Sequence, residues 1–184
     1  MKEVIDNIYQ LNEVDFDSLL EITRPVHFKK GELILRDGET CKGIYFIDAG
    51  IIGLYKLYKD REHYQDFFFE GNFATNIISL TSGEPSEECL VAIEEVKGRF
   101  ISKDSLIGLY QKSTEFKEFG RRLLELLLAN NTQLSFIRSS LTAKEKYEYI
   151  MTELPHYIQR LPLQFLASYL GMTRETLSRM RSTK

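Results

Sequence analysis

The chain has 184 residues, 43% hydrophobic, 28% charged and 12% aromatic, with a formal net charge of −3. That balance suits one ordinary domain or two small ones with enough apolar side chains for a core, and it excludes a disordered or fibrous chain. Charge is unevenly spread: residues 142–184 are basic by +3, whereas the first 141 carry −6, the asymmetry expected of a small DNA-reading module on an acidic body. Met1 to Leu20 lacks the apolar core of a signal peptide, and the greasiest stretch, Leu123 to Ala129, is too short for a membrane span and contains Glu125. Cys41 and Cys89 have no CxxC spacing and read as buried thiols, so a cytoplasmic location is expected.

In chain order, Val4 to Ile22 reads as one or two short helices, stopped by Arg24-Pro25. Short β-like runs follow at His27-Phe28, Leu33 to Leu35, Ile44 to Ile47, Ile51 to Tyr58, Tyr64 to Phe69, Leu90 to Ile93 and Arg99 to Ile101, with glycine-bearing turns between them. Short strands at close spacing predict an antiparallel barrel or jelly roll. After Ser102 the period turns helical, with a short helix from Lys103 to Tyr110 and a long one from Phe116 to Leu141. In the long helix Phe116, Gly120, Leu123, Leu127, Asn130, Leu134, Ile137 and Leu141 recur alternately four and three residues apart, the heptad period of a two-stranded coiled coil. The seam would also suit packing on the chain's own strands. A second apolar stripe (Phe119 and Leu126, with Leu124 and Leu128) is available for that, so the seam is assigned to a homodimer.

Thr142 to Glu145 has the form of a capping box, opening a helix that runs to about Leu154 and ends at Pro155. In the segment Leu161 to Arg181, Pro162 suits a first helical turn. Leu166, Ala167 and Leu170 make an apolar face, and Gly171 sits where the chain reverses. Thr173 caps a second helix whose buried stripe is Leu177 and Met180. Two short helices joined by such a turn are a helix-turn-helix. Its exposed face offers Thr173, Arg174, Thr176, Ser178, Arg179 and Arg181. Arginines at 174 and 179 suit guanine O6 and N7, Glu175 suits cytosine N4, and the hydroxyls and Arg181 suit phosphate.

The run Thr173-Arg174-Glu175-Thr176-Leu177-Ser178-Arg179, preceded by Gln164 and Gly171, resembles the recognition segment of the Crp/Fnr family of bacterial transcription regulators. The resemblance covers almost the whole chain and implies an α+β protein: an antiparallel β-roll sensor domain (1–115), a dimerisation helix (116–141) and a helix-turn-helix domain (142–184). It implies base contacts by Arg174, Glu175 and Arg179, and phosphate contacts by Gln164, Thr173 and Thr176. The function implied is that of a non-enzymatic regulator acting as a homodimer on a pseudo-palindromic operator, with double-stranded DNA and RNA polymerase as partners.

Two departures stand out. Cyclic-nucleotide-binding members place a Glu on the ribose and an Arg on the cyclic phosphate. In the matching stretch this chain reads Thr75-Asn76-Ile77 and then Ser86-Glu87-Glu88, with no arginine between Glu62 and Lys97. Carboxylates at 84, 87 and 88 would repel a phosphate, so cyclic AMP is not expected in the degenerate pocket formed by Gly71, Phe73, Thr75, Asn76, Ser86, Glu87 and Glu88. Its effector is left unidentified. No cofactor or metal is expected either: two cysteines are too few for an iron–sulfur cluster, and His27, His63 and His156 are scattered. The second departure is that no β-hairpin wing is expected after the recognition helix. The alternative function is a small-molecule-binding β-roll sensor with a non-functional DNA head.

Overall fold

The computed structural model describes residues 1–182, and the side chains of all of these except residues 130–133. Two short helices open the chain, α1 (Lys2–Ile8) and α2 (Glu13–Glu21). Asn12 caps α2 by accepting from the Asp15 N–H at 2.9 Å, and Ile5 and Leu19 bury themselves completely beneath the helices. Eight strands follow: β1 (Arg24–Phe28), β2 (Leu33–Leu35), β3 (Gly43–Ala49), β4 (Ile52–Tyr58), β5 (Arg61–Phe68), β6 (Phe73–Ala74), β7 (Cys89–Ala92) and β8 (Val96–Ser102). They form two antiparallel sheets, in the orders β1-β8-β3-β6 and β2-β7-β4-β5. This is the roll read from the turn spacing. The β4–β5 hairpin turns through Lys59 and Asp60, with φ of 51° and 59°, so two non-glycine residues carry the left-handed geometry that tight hairpins require.

A short helix, α3 (Ile77–Ser82), interrupts the strands. It lies within the stretch read from sequence as the effector cassette. Asn76 caps it, and Gly83, at φ 80°, ends it. After β8 come α4 (Lys103–Lys112) and α5 (Thr114–Ser140), then four helices: α6 (Ala143–Glu153), α7 (Pro155–Arg160), α8 (Leu163–Tyr169) and α9 (Arg174–Ser182). The capping box of Thr142 and Glu145 is formed. Pro155 does end α6, and it also occupies the first turn of α7, where its missing N–H costs nothing.

The 27 residues of α5 give a rod about 40 Å long. Its two apolar stripes are used in the opposite sense to the sequence expectation. The expected dimer seam faces the chain's own core. Phe116, Leu123, Leu134 and Ile137 are buried, Leu127 is half-buried, and Leu141 serves as the C-cap. Gly120 lies against the Tyr110 ring of α4, and a Cβ there would come within 2.5 Å of the Tyr110 hydroxyl. The side chain of Asn130 lies outside the described residues. From the other stripe only Phe119 is buried; Leu124, Leu126 and Leu128 are 38%, 46% and 52% exposed, and Phe136 is 60% exposed.

Two apolar clusters result. One lies between the sheets and takes in α1, α2, α4 and the first half of α5. The other joins the outward side chains of the second sheet (Tyr55, Tyr64, Phe67), with Phe69 and Ile93 just past its strands, to Tyr147, Ile150, Tyr157, Leu166, Tyr169 and Leu177 of the C-terminal helices. Alternation along the strands sorts the two sets: Leu54 and Phe68 belong to the first, Tyr55 and Phe67 to the second. The C-terminal helices therefore sit on the roll itself. Among the described residues, no helix is long and apolar enough to cross a membrane.

Candidate nucleic-acid interface and effector cavity

Helix α8 begins after Pro162 and buries Leu166, Ala167 and Tyr169. At its end the Gly171 N–H bonds to the Ser168 carbonyl and the Met172 N–H to the Ala167 carbonyl, both at 3.0 Å. Gly171 takes φ 64°, the left-handed turn expected of a glycine past a helix end. Thr173 then caps α9, its hydroxyl accepting from the Thr176 N–H at 3.1 Å. Leu177 is fully buried against the head and Met180 half-buried. With that face fixed inward, Arg174, Glu175, Ser178, Arg179 and Arg181 all point to solvent. Gln164, at the start of α8, and Thr173 are exposed as well. Thr176 is half-buried, and its hydroxyl lies 3.0 Å from that of Thr173. The Glu175 carboxyl is held below its usual range by its own N–H at the helix start, then by the Thr173 hydroxyl and by Arg174 and Arg179. It stays an anion, and so an acceptor, at neutral pH.

The head is tied to the roll through the outer edge of β5. As the last strand of its sheet, β5 leaves one row of backbone groups unpaired, and such groups need partners when covered. Ser168 of α8 supplies two bonds, accepting from the Tyr64 N–H at 3.0 Å and donating to the Glu62 carbonyl at 2.9 Å. The Tyr157 hydroxyl donates to the Phe67 carbonyl at 3.2 Å. Arg138, near the end of α5, donates to the Tyr64 and Gln65 carbonyls of β5 and to the Tyr169 carbonyl of α8. Arg160 bridges Glu70 and Glu94, and holds the Glu70 carboxyl down at about 2. None of these residues was singled out from the sequence, because each bond joins positions at least 31 apart.

The expected effector cassette is wired to itself. Thr75, Asn76 and Ser86 are buried. Asn76 accepts from the Ser79 N–H and donates to the Ser86 hydroxyl at 2.9 Å and to the Glu88 carboxylate at 2.7 Å. The Ser86 hydroxyl also accepts from the Glu88 N–H and donates to the Glu88 carbonyl, while Thr75 donates to the Gly43 carbonyl at 3.0 Å. Glu87 points outward to Lys56 at 2.5 Å. Phe73 is buried under α5, and Gly71 turns the chain at φ 79°. Burial pushes the Glu88 carboxyl up. Asn76 and Glu88 also line a cavity of about 1030 Å³, which runs beneath β5 between the roll, α5 and the head.

Residues 25–113 match the family model of the cyclic nucleotide-binding domain. No curated protein matches the sequence. Among solved structures, FixK2 from Bradyrhizobium japonicum aligns with a TM-score of 0.74 at 22% identity, covering 88% of this chain and 84% of its own. A transcriptional regulator of the Crp/Fnr family from Eubacterium rectale aligns at 0.69 and 19% identity, covering 96% of this chain and 87% of its own. The c-di-GMP-responsive regulator CLP of Xanthomonas campestris aligns at 0.68 and 18% identity, covering 94% and 91%. The chain thus has the fold of the Crp/Fnr regulators over nearly its whole length, with residues 25–113 matching the cyclic nucleotide-binding domain.

Proposed function

We propose that this chain is a sequence-specific DNA-binding transcription regulator. It acts in the cytoplasm as a homodimer on a pseudo-palindromic operator, and a bound dimer acts on RNA polymerase. One observation carries the reading: α9 presents Arg174, Glu175 and Arg179 on a single solvent-facing side while Leu177 anchors the opposite side. An α-helix so presented fits the major groove. Gln164, Thr173, Ser178 and Arg181 stand around the readers as phosphate contacts, and Thr176 joins them if it releases its neighbour's hydroxyl. Residues 1–115 are the sensor, 116–141 the dimer helix and 142–184 the reading head.

The dimer contact is assigned to the exposed side of α5. Leu124 and Leu128 lie one turn apart there, 38% and 52% exposed. Cyclic AMP is not the effector, since the cassette offers a phosphate only carboxylates and a self-paired amide. The same chemistry argues against c-di-GMP, to which the Xanthomonas neighbour responds.

Selection of double-stranded DNA from a random pool tests the reading. An inverted repeat with half-sites about one helical turn apart is expected. Arg179→Ala should then cost about 1–3 kcal/mol and relax one base position. A pool with no enriched sequence overturns the proposal in favour of a sensor whose head does not read DNA.

A further inference from the structure

The cavity beneath β5 has a charge pattern that DNA binding does not use. Its walls are mostly apolar and aromatic, among them Leu54, Phe67, Leu127 and Tyr157. Its volume of about 1030 Å³ is at the upper end of the usual range for small-molecule sites. Three carboxylates line it: Glu70, which is paired with Arg160, Asp66 from β5 and Glu88 from the approach to β7. The last two carry the pattern. Strand β4 lies between them, and Leu54 of β4 pairs with Asp66 on one side and Leu90 on the other. The strands that carry them are thus set roughly 10 Å apart along the cavity wall.

Neither Asp66 nor Glu88 has an ion-pair partner among the described residues. The Asp66 Oδ1 accepts from the Phe67 N–H at 2.8 Å, and the Glu88 Oε2 accepts from Asn76. The nearby cations are engaged elsewhere. Lys56 is on Glu87, and Arg160 is shared by Glu70 and Glu94. Arg138 donates to the carbonyls of Tyr64, Gln65 and Tyr169 and to the Gln65 amide oxygen. Asp66 lines the cavity, and withdrawal from solvent pushes its carboxyl up to about 6; burial also raises Glu88. A buried carboxylate without a counter-ion is costly, and an incoming cation relieves that cost at both positions.

We propose that this cavity is the effector site and that it takes an organic cation, an ammonium on an apolar or aromatic body. Asp66 and Glu88 hold the ammonium, and the body packs against Leu54, Phe68, Phe73 and Leu127, which share the apolar cluster between the sheets. The aromatic walls suit this class, because ring faces attract ammonium groups. The cavity is bounded by the roll, by α5 and by the head, so what fills it bears on how the three sit together. An occupant that favours one head position changes DNA affinity, and DNA changes the occupant's affinity by the same factor. That last consequence, though not the binding site, rests on the DNA-regulator reading.

The experiment is isothermal titration of the full chain with phenethylamine, tyramine, hexylamine and phenyltrimethylammonium. Each is paired with its neutral isostere, and phenylpropionate and cyclic AMP serve as anions. At least one ammonium is expected to bind tenfold or more tightly than its isostere, with the anions silent. Asp66→Asn and Glu88→Gln should each weaken that binding at least tenfold; Glu88 is only half-buried, so its variant serves even if Asp66→Asn fails to fold. No ammonium bettering its isostere, or unchanged affinity in a folded variant, overturns the proposal. Amine binding by a chain that selects no DNA would leave this site standing and remove the regulator reading; DNA selection without amine binding would do the reverse.

Discussion

Arg138, in the last turn of α5, donates from Nε to the carbonyl oxygen of Tyr169 at 2.7 Å, and its guanidinium lies 4.9 Å from the centroid of the Tyr169 ring. The same side chain bonds the Tyr64 and Gln65 carbonyls of β5 at 3.0 and 2.6 Å. Roll, long helix and head therefore meet on one planar fork. Burial pulls its pKa down from the usual arginine value, yet the group stays charged, since arginine loses its proton only far above neutral pH.

Replacing that fork should loosen the head. Arg138→Met leaves covered carbonyls at Tyr64, Gln65 and Tyr169 without donors, and should cost about 2–4 kcal/mol in urea unfolding. Proteolysis near residues 141–142 should speed up in parallel. Arg138→Lys keeps the charge but cannot reach three carbonyls in one plane, so it should recover less than half the loss. Equal stability of the lysine variant and the parent would show that charge alone holds the joint.

The elements most legible in the sequence were those fixed by local chemistry. The turn at Gly171, the Thr173 cap and the Leu177 anchor are short-range signals, and α8 and α9 form where they direct. The β2 boundaries, Leu33 to Leu35, likewise agree with the pattern. The orientation of α5 was not legible. Both its stripes are apolar, and a 4-3 spacing suits a helix lying on a roll as well as a coiled coil. What decides is the shape of the roll, which receives Phe116, Phe119 and Leu123. The cassette was legible only as a loss: the missing arginine is plain in the sequence. The Asn76–Ser86–Glu88 network that fills its place depends on bonds ten and twelve residues apart, with no local signature.

The orientation of α5 changes which substitutions should dissociate a dimer. Leu134 is 8% exposed inside the second cluster, so Leu134→Lys buries a charge and should unfold the chain, at a cost above about 3 kcal/mol. Leu124→Lys with Leu128→Lys alters positions 38% and 52% exposed, and should leave the melting temperature of the subunit nearly unchanged while halving the mass in light scattering. A dimer that survives the double lysine variant would place the contact elsewhere.

Asp66 should make stability depend on pH in a direction opposite to that of a salt-bridged carboxylate. Its carboxyl is raised from 3.8 to about 6 in the folded chain, burial being the main cause and Arg138 a partial offset. Between these values the folded state holds a proton that the unfolded state has lost, so stability falls as pH rises from about 4 to about 6. The full span is worth at most about 3 kcal/mol. Asp66→Asn stays neutral throughout and removes this slope. Urea midpoints across pH 4 to 7 should show the variant gaining on the parent toward neutral pH; parallel curves would mean that the carboxylate finds a counter-charge in solution.

Gly171 tests whether the reading head depends on backbone conformation or on space. Its φ is 64°, and the nearest atom to an added Cβ is the Lys146 Nζ at 4.0 Å, so a side chain there would meet no obstruction. Any penalty for Gly171→Ala is therefore conformational, about 1–2 kcal/mol for an L-residue held in the left-handed region. Gly171→Asn should lose about half as much, because asparagine tolerates that region better. Since the head shares an apolar cluster with the roll, both losses should appear in one cooperative unfolding transition rather than in a separate early step. A neutral Gly171→Ala would mean that the α8–α9 turn adopts another geometry, and the alignment of Arg174, Glu175 and Arg179 over Leu177 would have to be redrawn with it.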